Sequence, residues 1–165
     1  MTLVLGIDPG TATTGYGLVR DLPDDNLQMV DFGVIQTPAG LPAAERLSLL
    51  YHRLRELLLL HRPESAAVEK LFFQNNVKTA IAVGQARGVV LLALAEAGLE
   101  IAEYTPNEVK QAVAGYGSAD KKQIQEMVRI LLRMAHIPQP DDAADALAVC
   151  ICHQHSARLN MLLAQ

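Results

Sequence analysis

Two short apolar runs that each end in a carboxylate constrain the fold of this chain more than any other feature. Leu3–Ile7 is followed directly by Asp8, and Ala66–Val68 is followed by Glu69. Short apolar runs bounded by turn residues are typical of strands in a covered sheet. If the two strands are neighbours, as their order suggests, both acids emerge at the same end of that sheet.

A second pair of acids lies near the end of the chain. Asp142 and Asp145 are three residues apart in an alanine-rich segment, so a helix places both on one face. The small side chains of Ala143, Ala144 and Ala146 would let this helix approach the sheet closely. The four carboxylates are therefore predicted to converge.

Four converging carboxylates need cations, because each is costly to bury alone and they repel one another. Oxygen ligands of this kind favour Mg²⁺ or Mn²⁺. Two such ions roughly 3.5–4 Å apart can activate a water and stabilise the leaving oxygen of a phosphoryl displacement, which indicates a nuclease or a phosphotransferase. Taken singly, the acids have plainer explanations. Asp8 could start the turn that follows it, and Asp142 or Asp141 could cap the last helix.

The order of predicted elements is that of a mixed α/β fold with one five-stranded sheet flanked by helices. An antiparallel hairpin comes first and parallel crossovers follow. Residues 1–165 fit one domain, with residues 158–165 as a flexible tail. Glycines in the segment 10–17 are expected to let the second strand fold back. The predicted strands are Thr2–Asp8, Thr14–Arg20, Gln28–Thr37, Ala66–Glu69 and Leu99–Tyr104; the predicted helices run from Pro42 to Arg62, from the cap residue Asn76 to about Gly98, and over Pro106–Val113, Ala119–Ala135 and Asp141–Ala157.

One predicted helix has no polar face. The segment Val77–Ala97 is apolar around nearly its whole circumference, so one sheet can hardly cover it. A subunit interface is predicted, and a wholly buried helix is the alternative. Uninterrupted apolar stretches fall far below the ~18 residues of a membrane span, and Met1–Leu5 lacks the basic segment of a signal peptide. A cytoplasmic protein with no membrane partner is expected.

The net charge of −4 conceals a basic middle segment. Residues 70–133 carry 8 basic and 6 acidic side chains, whereas the segments on either side are acidic. Removing the four clustered carboxylates from the sum brings the net charge to zero, so bound metal would offset the acidity. A local basic face can therefore still bind phosphates.

A set of motifs occurs in a characteristic order and spacing from about residue 3 to 155. The motifs are Gly6-Ile7-Asp8-Pro9-Gly10, Thr14-Gly15-Tyr16-Gly17, Glu69 with Phe72 after it, Gly84-Gln85-Ala86-Arg87-Gly88, Val109-Lys110-Gln111, Lys121-Lys122 and Asp142-Ala143-Ala144-Asp145-Ala146-Leu147-Ala148. As a set they resemble the RuvC family of Holliday-junction resolvases. This resemblance implies a ribonuclease-H-like fold, a homodimer with two active sites, and Mg²⁺- or Mn²⁺-dependent cutting of two opposed strands of a four-way DNA junction. It also implies association with the RuvA-RuvB branch-migration complex.

The same resemblance implies roles for individual residues. The four acids, with Asp142 rather than Asp141, would be the metal ligands and would hold two ions per active site. Lys110 and Lys121 would lie near the scissile phosphate, and Phe72 would insert at the junction. Without the resemblance, exposed lysines are usually solvated, and core packing is the commoner fate of the pair Phe72 and Phe73. Further DNA contacts are expected from Lys78, Arg87 and Lys122 in the basic segment.

Two other functions are compatible with parts of the sequence. The segment from Asp8 to Gly15 resembles the phosphate loop of actin-like ATPases and sugar kinases, but those enzymes need two copies of the fold and this length supplies one. A structural DNA-junction binder without catalysis would lack some of the acids, and none is missing.

Overall fold

The computed structural model describes residues 1–70 and 76–165, and the five strands of this part form one mixed sheet in the order β3-β2-β1-β4-β5. The predicted five-stranded α/β architecture is confirmed. The strands are β1 Leu3–Asp8, β2 Thr13–Asp21, β3 Leu27–Gln36, β4 Ser65–Glu69 and β5 Glu100–Tyr104; the helices are α1 Ala43–His61, α2 Val77–Glu96, α3 Pro106–Ala114, α4 Lys121–Leu131 and α5 Asp141–Leu163.

The two strands that end in acids are neighbours. β1 and β4 pair in parallel with Ile7 opposite Val68, so Asp8 and Glu69 follow at the same edge of the sheet. β1 is the central strand, and β2 pairs with its other side in antiparallel register, with Asp8 opposite Gly15. The prediction that both acids emerge at one end is confirmed.

Side chains alternate across the sheet and fill two cores, because successive residues of a strand point to opposite faces. Leu5, Ile7 and Val68 belong to the core beneath α1 and α2. Val4 and Ala67 belong to the core beneath α3, α4 and α5. The side chains of Asp8 and Glu69, each one residue further along, therefore lie on the α5 face of the sheet.

Two helices, α4 and α5, have bounds that differ from the sequence prediction. The helix predicted over Ala119–Ala135 is confined to Lys121–Leu131, because Asp120 forms a capping box with Gln123 and Arg133 adopts a left-handed φ of 53°. Helix α5 extends to Leu163 instead of Ala157. The last turns contain no Gly or Pro, so residues 158–163 continue the helix.

Helix α5 lies against β1 and β2 at backbone distance. A Cβ atom on Gly15 would overlap the carbonyl oxygen of Asp142, and one on Gly6 would overlap the carbonyl oxygen of Ala146. A Cβ atom on Gly17 would lie 2.8 Å from the side chain of Leu147. Alanines on the helix side were expected to permit this approach, but the glycines were expected only to let β2 fold back. Their position against α5 is a role that the sequence analysis missed.

Helix α2 keeps an apolar side exposed. The apolar side chains of Ile81 and Leu92 are 56% and 52% exposed. Among the described residues one helix, Val77–Glu96, is long and apolar enough to cross a membrane by length and composition. Runs of uninterrupted apolar residues did not predict this. One such helix is weak evidence for a membrane, because the core helix of a soluble protein passes the same test of length and composition.

Candidate active site

Three of the predicted acids meet where α5 begins. Asp8 ends β1, and Asp142 and Asp145 lie in the first two turns of α5, all three only partly exposed. Each offers a carboxylate oxygen within 4.8 Å of the others, close enough to hold a metal ion. The turn after Asp8 is fixed by Thr14, whose hydroxyl donates to the carbonyl oxygen of Gly10 at 2.6 Å.

Glu69 lies beside this group and is not one of the three clustered acids. Its carboxylate is near enough to Asp8 and Asp145 for their charges to interact. It also lines a cleft of about 270 Å³ together with Asp145, Lys110 and Lys121. The predicted convergence of four acids is therefore a tight group of three with the fourth at its side.

Asp8, Glu69 and Asp145 have raised pKa values. Burial, followed by repulsion from Glu69 and then Asp145, raises the pKa of Asp8 to about 8. Burial and the charge of Asp145 raise the pKa of Glu69 to about 7, although Lys110 and Lys121 oppose this shift. Burial also raises the pKa of Asp145. The site therefore has too little positive charge to balance its carboxylates, and it favours the binding of protons or of metal cations.

A hard divalent cation fits this donor set. All the donors are carboxylate oxygens, which Mg²⁺ and Mn²⁺ prefer. A cation would also remove the repulsion that raises the pKa values of Asp8 and Glu69. The chemistry of the donors is therefore consistent with a divalent metal, and Asp8, Asp142 and Asp145 have the geometry to hold it.

Asp141 and Asp142 have separate positions despite being adjacent. Asp142 belongs to the clustered acids, whereas Asp141 is exposed. The ammonium group of Lys121 lies 3.1 Å from Asp141 and 4.0 Å from Asp145, and Gln125 donates to Asp141 at 3.1 Å. The capping alternative is wrong for both acids, because Pro140 occupies the N-cap position and makes no side-chain cap.

The remaining predicted DNA contacts are dispersed. Lys122 faces a different cleft, which also contains Tyr116 and Glu126. Lys78 is exposed in the first turn of α2, where Asn76 caps the helix as predicted. Phe72 lies outside the described residues.

Arg87 is engaged within the protein. It donates to the backbone carbonyl oxygen of Glu69 at 2.7 Å and forms an ion pair with Glu103. A DNA contact was predicted for Arg87 from the sequence, whereas this link to Glu69 was not. The two residues are 18 positions apart in the sequence and show no spacing pattern that would indicate it.

The fold and the site define a ribonuclease-H-like α/β protein with an acidic site suited to metal ions. Its central parallel strand pair ends in carboxylates, an antiparallel hairpin lies on one side of this pair, and helices cover both faces of the sheet. A model of the family described as crossover junction endodeoxyribonuclease RuvC matches residues 4–153. The RuvC protein of Chloroflexus aurantiacus is 60% identical over 153 residues, which is 93% of each chain. That of Desulfitobacterium hafniense is 58% identical over 157 residues, covering 95% of this chain and 94% of the relative.

Solved structures agree with this comparison. The Thermus thermophilus RuvC structure is 39% identical, with a TM-score of 0.88 over 96% of each chain. The structure of T. thermophilus RuvC in complex with a Holliday junction substrate is 37% identical, with a TM-score of 0.87 over 95% of this chain and 96% of the other. The chain belongs to the RuvC family.

The raised pKa values predict how the stability of the metal-free protein depends on pH. In the unfolded chain Asp8 loses its proton above a pKa of about 4, whereas in the folded protein it keeps the proton up to about pH 8. The free energy of unfolding therefore falls as the pH rises between these two values. Asp8→Asn should raise the free energy of unfolding by roughly 3 kcal/mol more at pH 8 than at about pH 5, because one pKa unit corresponds to about 1.4 kcal/mol. Urea unfolding in the presence of a chelator measures both values.

Asp141→Asn is the matched control for this prediction. Lys121 lowers the pKa of Asp141, which means that the charged form of Asp141 is favourable in the folded protein. Removing the Asp141 charge should therefore not stabilise the protein at pH 8. Stability of the metal-free wild type that rises between about pH 5 and pH 8 would contradict the assignment of raised pKa values to this cluster.

Proposed function

We propose that this chain is a structure-selective endonuclease that resolves four-way (Holliday) DNA junctions by paired nicks in opposed strands during recombination and repair. The observation that carries the proposal is the group of Asp8, Asp142 and Asp145 at the end of the central strand, in a chain that belongs to the RuvC family. A relative of 37% identity is described in complex with a Holliday junction substrate. This favours the junction resolvase over the ATPase or kinase alternative.

The proposed metal ligands are Asp8, Glu69, Asp142 and Asp145, with Mg²⁺ or Mn²⁺ as the ion and two ions in each active site. Bound divalent ions would supply charge stabilisation and a more acidic water for phosphodiester hydrolysis. The raised pKa values of Asp8 and Glu69 support a role in cation binding, because both acids lack a full complement of positive neighbours.

The lysines act on the substrate. Lys110 and Lys121 line the cleft beside Glu69 and Asp145, where their charges can attract a phosphate and stabilise negative charge that develops on it. Asp141 pairs directly with Lys121, and Gln125 supports this pair by donating to the Asp141 carboxylate. Lys78, Lys122 and Phe72 are proposed to contact the junction outside the cleft.

The active unit is proposed to be a homodimer that buries the exposed side of α2. Symmetric cutting of two strands requires two active sites, and a self-complementary apolar surface is the usual means of pairing two identical chains. Ile81 and Leu92 are the exposed apolar residues that support this interface. We further propose that residues 1–165 form one domain, that the protein acts in the cytoplasm, and that it associates with a RuvA-RuvB branch-migration complex.

Junction cleavage tests the activity directly. The wild type should nick opposed strands of a synthetic four-way junction in Mg²⁺ or Mn²⁺, and leave a linear duplex and a single strand intact. Asp145→Asn should lower the cleavage rate at least about a hundredfold, because it removes a charged oxygen ligand. Its dissociation constant for the junction in a chelator should stay within about twofold, because backbone binding depends mainly on basic residues.

Asp24→Asn removes an exposed charge in the β2–β3 turn and serves as the control. It should cleave at the wild-type rate. Undiminished cleavage by Asp145→Asn would contradict the site. Junction binding by a wild type that never nicks the DNA would indicate the non-catalytic alternative, and tight ATP binding without DNA would indicate the ATPase alternative.

The dimer is tested with charge on α2. Leu92→Glu should convert the protein to monomers at micromolar concentration, because an unpaired carboxylate in an apolar interface is strongly unfavourable. Leu59→Glu is the matched control, since Leu59 is 67% exposed on α1. Analytical ultracentrifugation distinguishes the two, and a wild type that sediments only as a monomer would contradict the proposed interface.

A further inference from the structure

Arg87 connects the helix layer opposite the active site to the strand end that carries Glu69. One guanidinium nitrogen donates to the carbonyl oxygen of Glu69 at 2.7 Å, and another forms an ion pair with Glu103 on β5. The Arg87 side chain is only 20% exposed. The charged group is therefore committed to two partners that lie on neighbouring strands.

The position of Arg87 also separates it from the carboxylate cluster. Helix α2 packs on the face of the sheet that contains Val68 and Ile101. Because side chains alternate along a strand, the Glu69 side chain lies on the opposite face with Ala67. Arg87 thus holds the backbone of Glu69 from one side of the sheet, while the Glu69 carboxylate faces Asp145 on the other side.

Glu69 needs such a tether because it is the last residue of β4. The parallel ladder pairs Glu69 with Tyr104, and the next backbone bond runs from Lys70 to the carbonyl oxygen of Tyr104 at 2.7 Å. At this strand end, the Arg87 guanidinium donates a side-chain hydrogen bond to the Glu69 carbonyl oxygen. A shift of about 1 Å at a reacting group can cost a hundredfold in rate, so this contact bears on function.

We infer that Arg87 is a positioning residue: it fixes the backbone of Glu69, and through it the Glu69 carboxylate, and it does not bind DNA. The inference rests on the proposed nuclease function and replaces the DNA contact expected for this residue from the sequence. Its two bonds use the fork geometry of guanidinium, which lysine lacks. The length of the arginine side chain also lets it reach across from α2 to both strands.

The test separates catalytic rate from affinity in the full-length protein. Arg87→Gln should lower kcat at saturating junction by about ten- to a hundredfold. The dissociation constant for the junction, measured in a chelator, should change by less than about twofold, since no phosphate contact is lost. Calorimetric titration with Mn²⁺ should show weaker metal binding by about fivefold or more, because a ligand has been displaced.

Further variants keep the result independent of folding. Arg87→Lys retains the charge and should recover part of kcat, but not all of it, because a single ammonium cannot replace the fork. Glu103→Gln keeps the bond from Arg87 to Glu69 and should lower kcat by less than about fivefold. Arg53→Gln removes an exposed arginine from α1 and should leave rate, affinity and metal binding unchanged.

Opposite outcomes overturn the inference. If Arg87→Gln weakens junction binding at least about tenfold while kcat at saturation and Mn²⁺ affinity stay unchanged, Arg87 contacts DNA. If Arg87→Gln does not fold, Arg87→Lys still decides, because wild-type kcat and wild-type Mn²⁺ affinity in that variant would remove the role. A wild type that cleaves no junction would refute the proposed function instead, and the Mn²⁺ titration would still report on Glu69.

Discussion

The contact between the first turns of α5 and the strands β1 and β2 is the constraint on which the site depends. The backbone of Asp142 lies against Gly15, and the backbone of Ala146 lies against Gly6, at separations that leave no room for a Cβ atom. Gly15 is also the residue opposite Asp8 in the sheet. The approach of the helix at this point therefore sets the distance between the acid on β1 and the two acids on α5.

This close approach has an electrostatic cost. It brings like charges together in a partly buried place, so the pKa values of Asp8 and Glu69 rise to about 8 and about 7. Lys110 and Lys121 offset part of the effect on Glu69 but not all of it. A protein selected only for stability would not keep this cluster, since removing one of several repelling charges is stabilising. Cation binding explains why the protein has this cluster of carboxylates, and the nuclease function requires cation binding at the same place.

Much of this arrangement could be predicted from the sequence, because it rests on local patterns. The apolar runs before Asp8 and Glu69 predicted parallel neighbours, and the spacing of Asp142 and Asp145 predicted a shared helical face. Other features depend on contacts between distant residues. The glycines were interpreted as turn residues because their neighbours on α5 are more than a hundred positions away, and the bond from Arg87 to Glu69 follows no spacing rule. The ends of α4 and α5 were misplaced because a left-handed Arg133 and continued helix formers outweighed the apparent pattern.

Binding of Mn²⁺ to Gly15→Ala tests most directly whether close approach of α5 assembles the metal site, because this variant keeps all four carboxylates. Gly40→Ala is the control, since a Cβ atom there meets nothing within 4 Å. At neutral pH, calorimetric titration should show wild-type affinity for Gly40→Ala. Gly15→Ala, still folded by circular dichroism, should bind Mn²⁺ at least about tenfold more weakly, because misplaced ligands lose affinity. A folded Gly15→Ala protein that binds Mn²⁺ as tightly as the wild type would contradict the account.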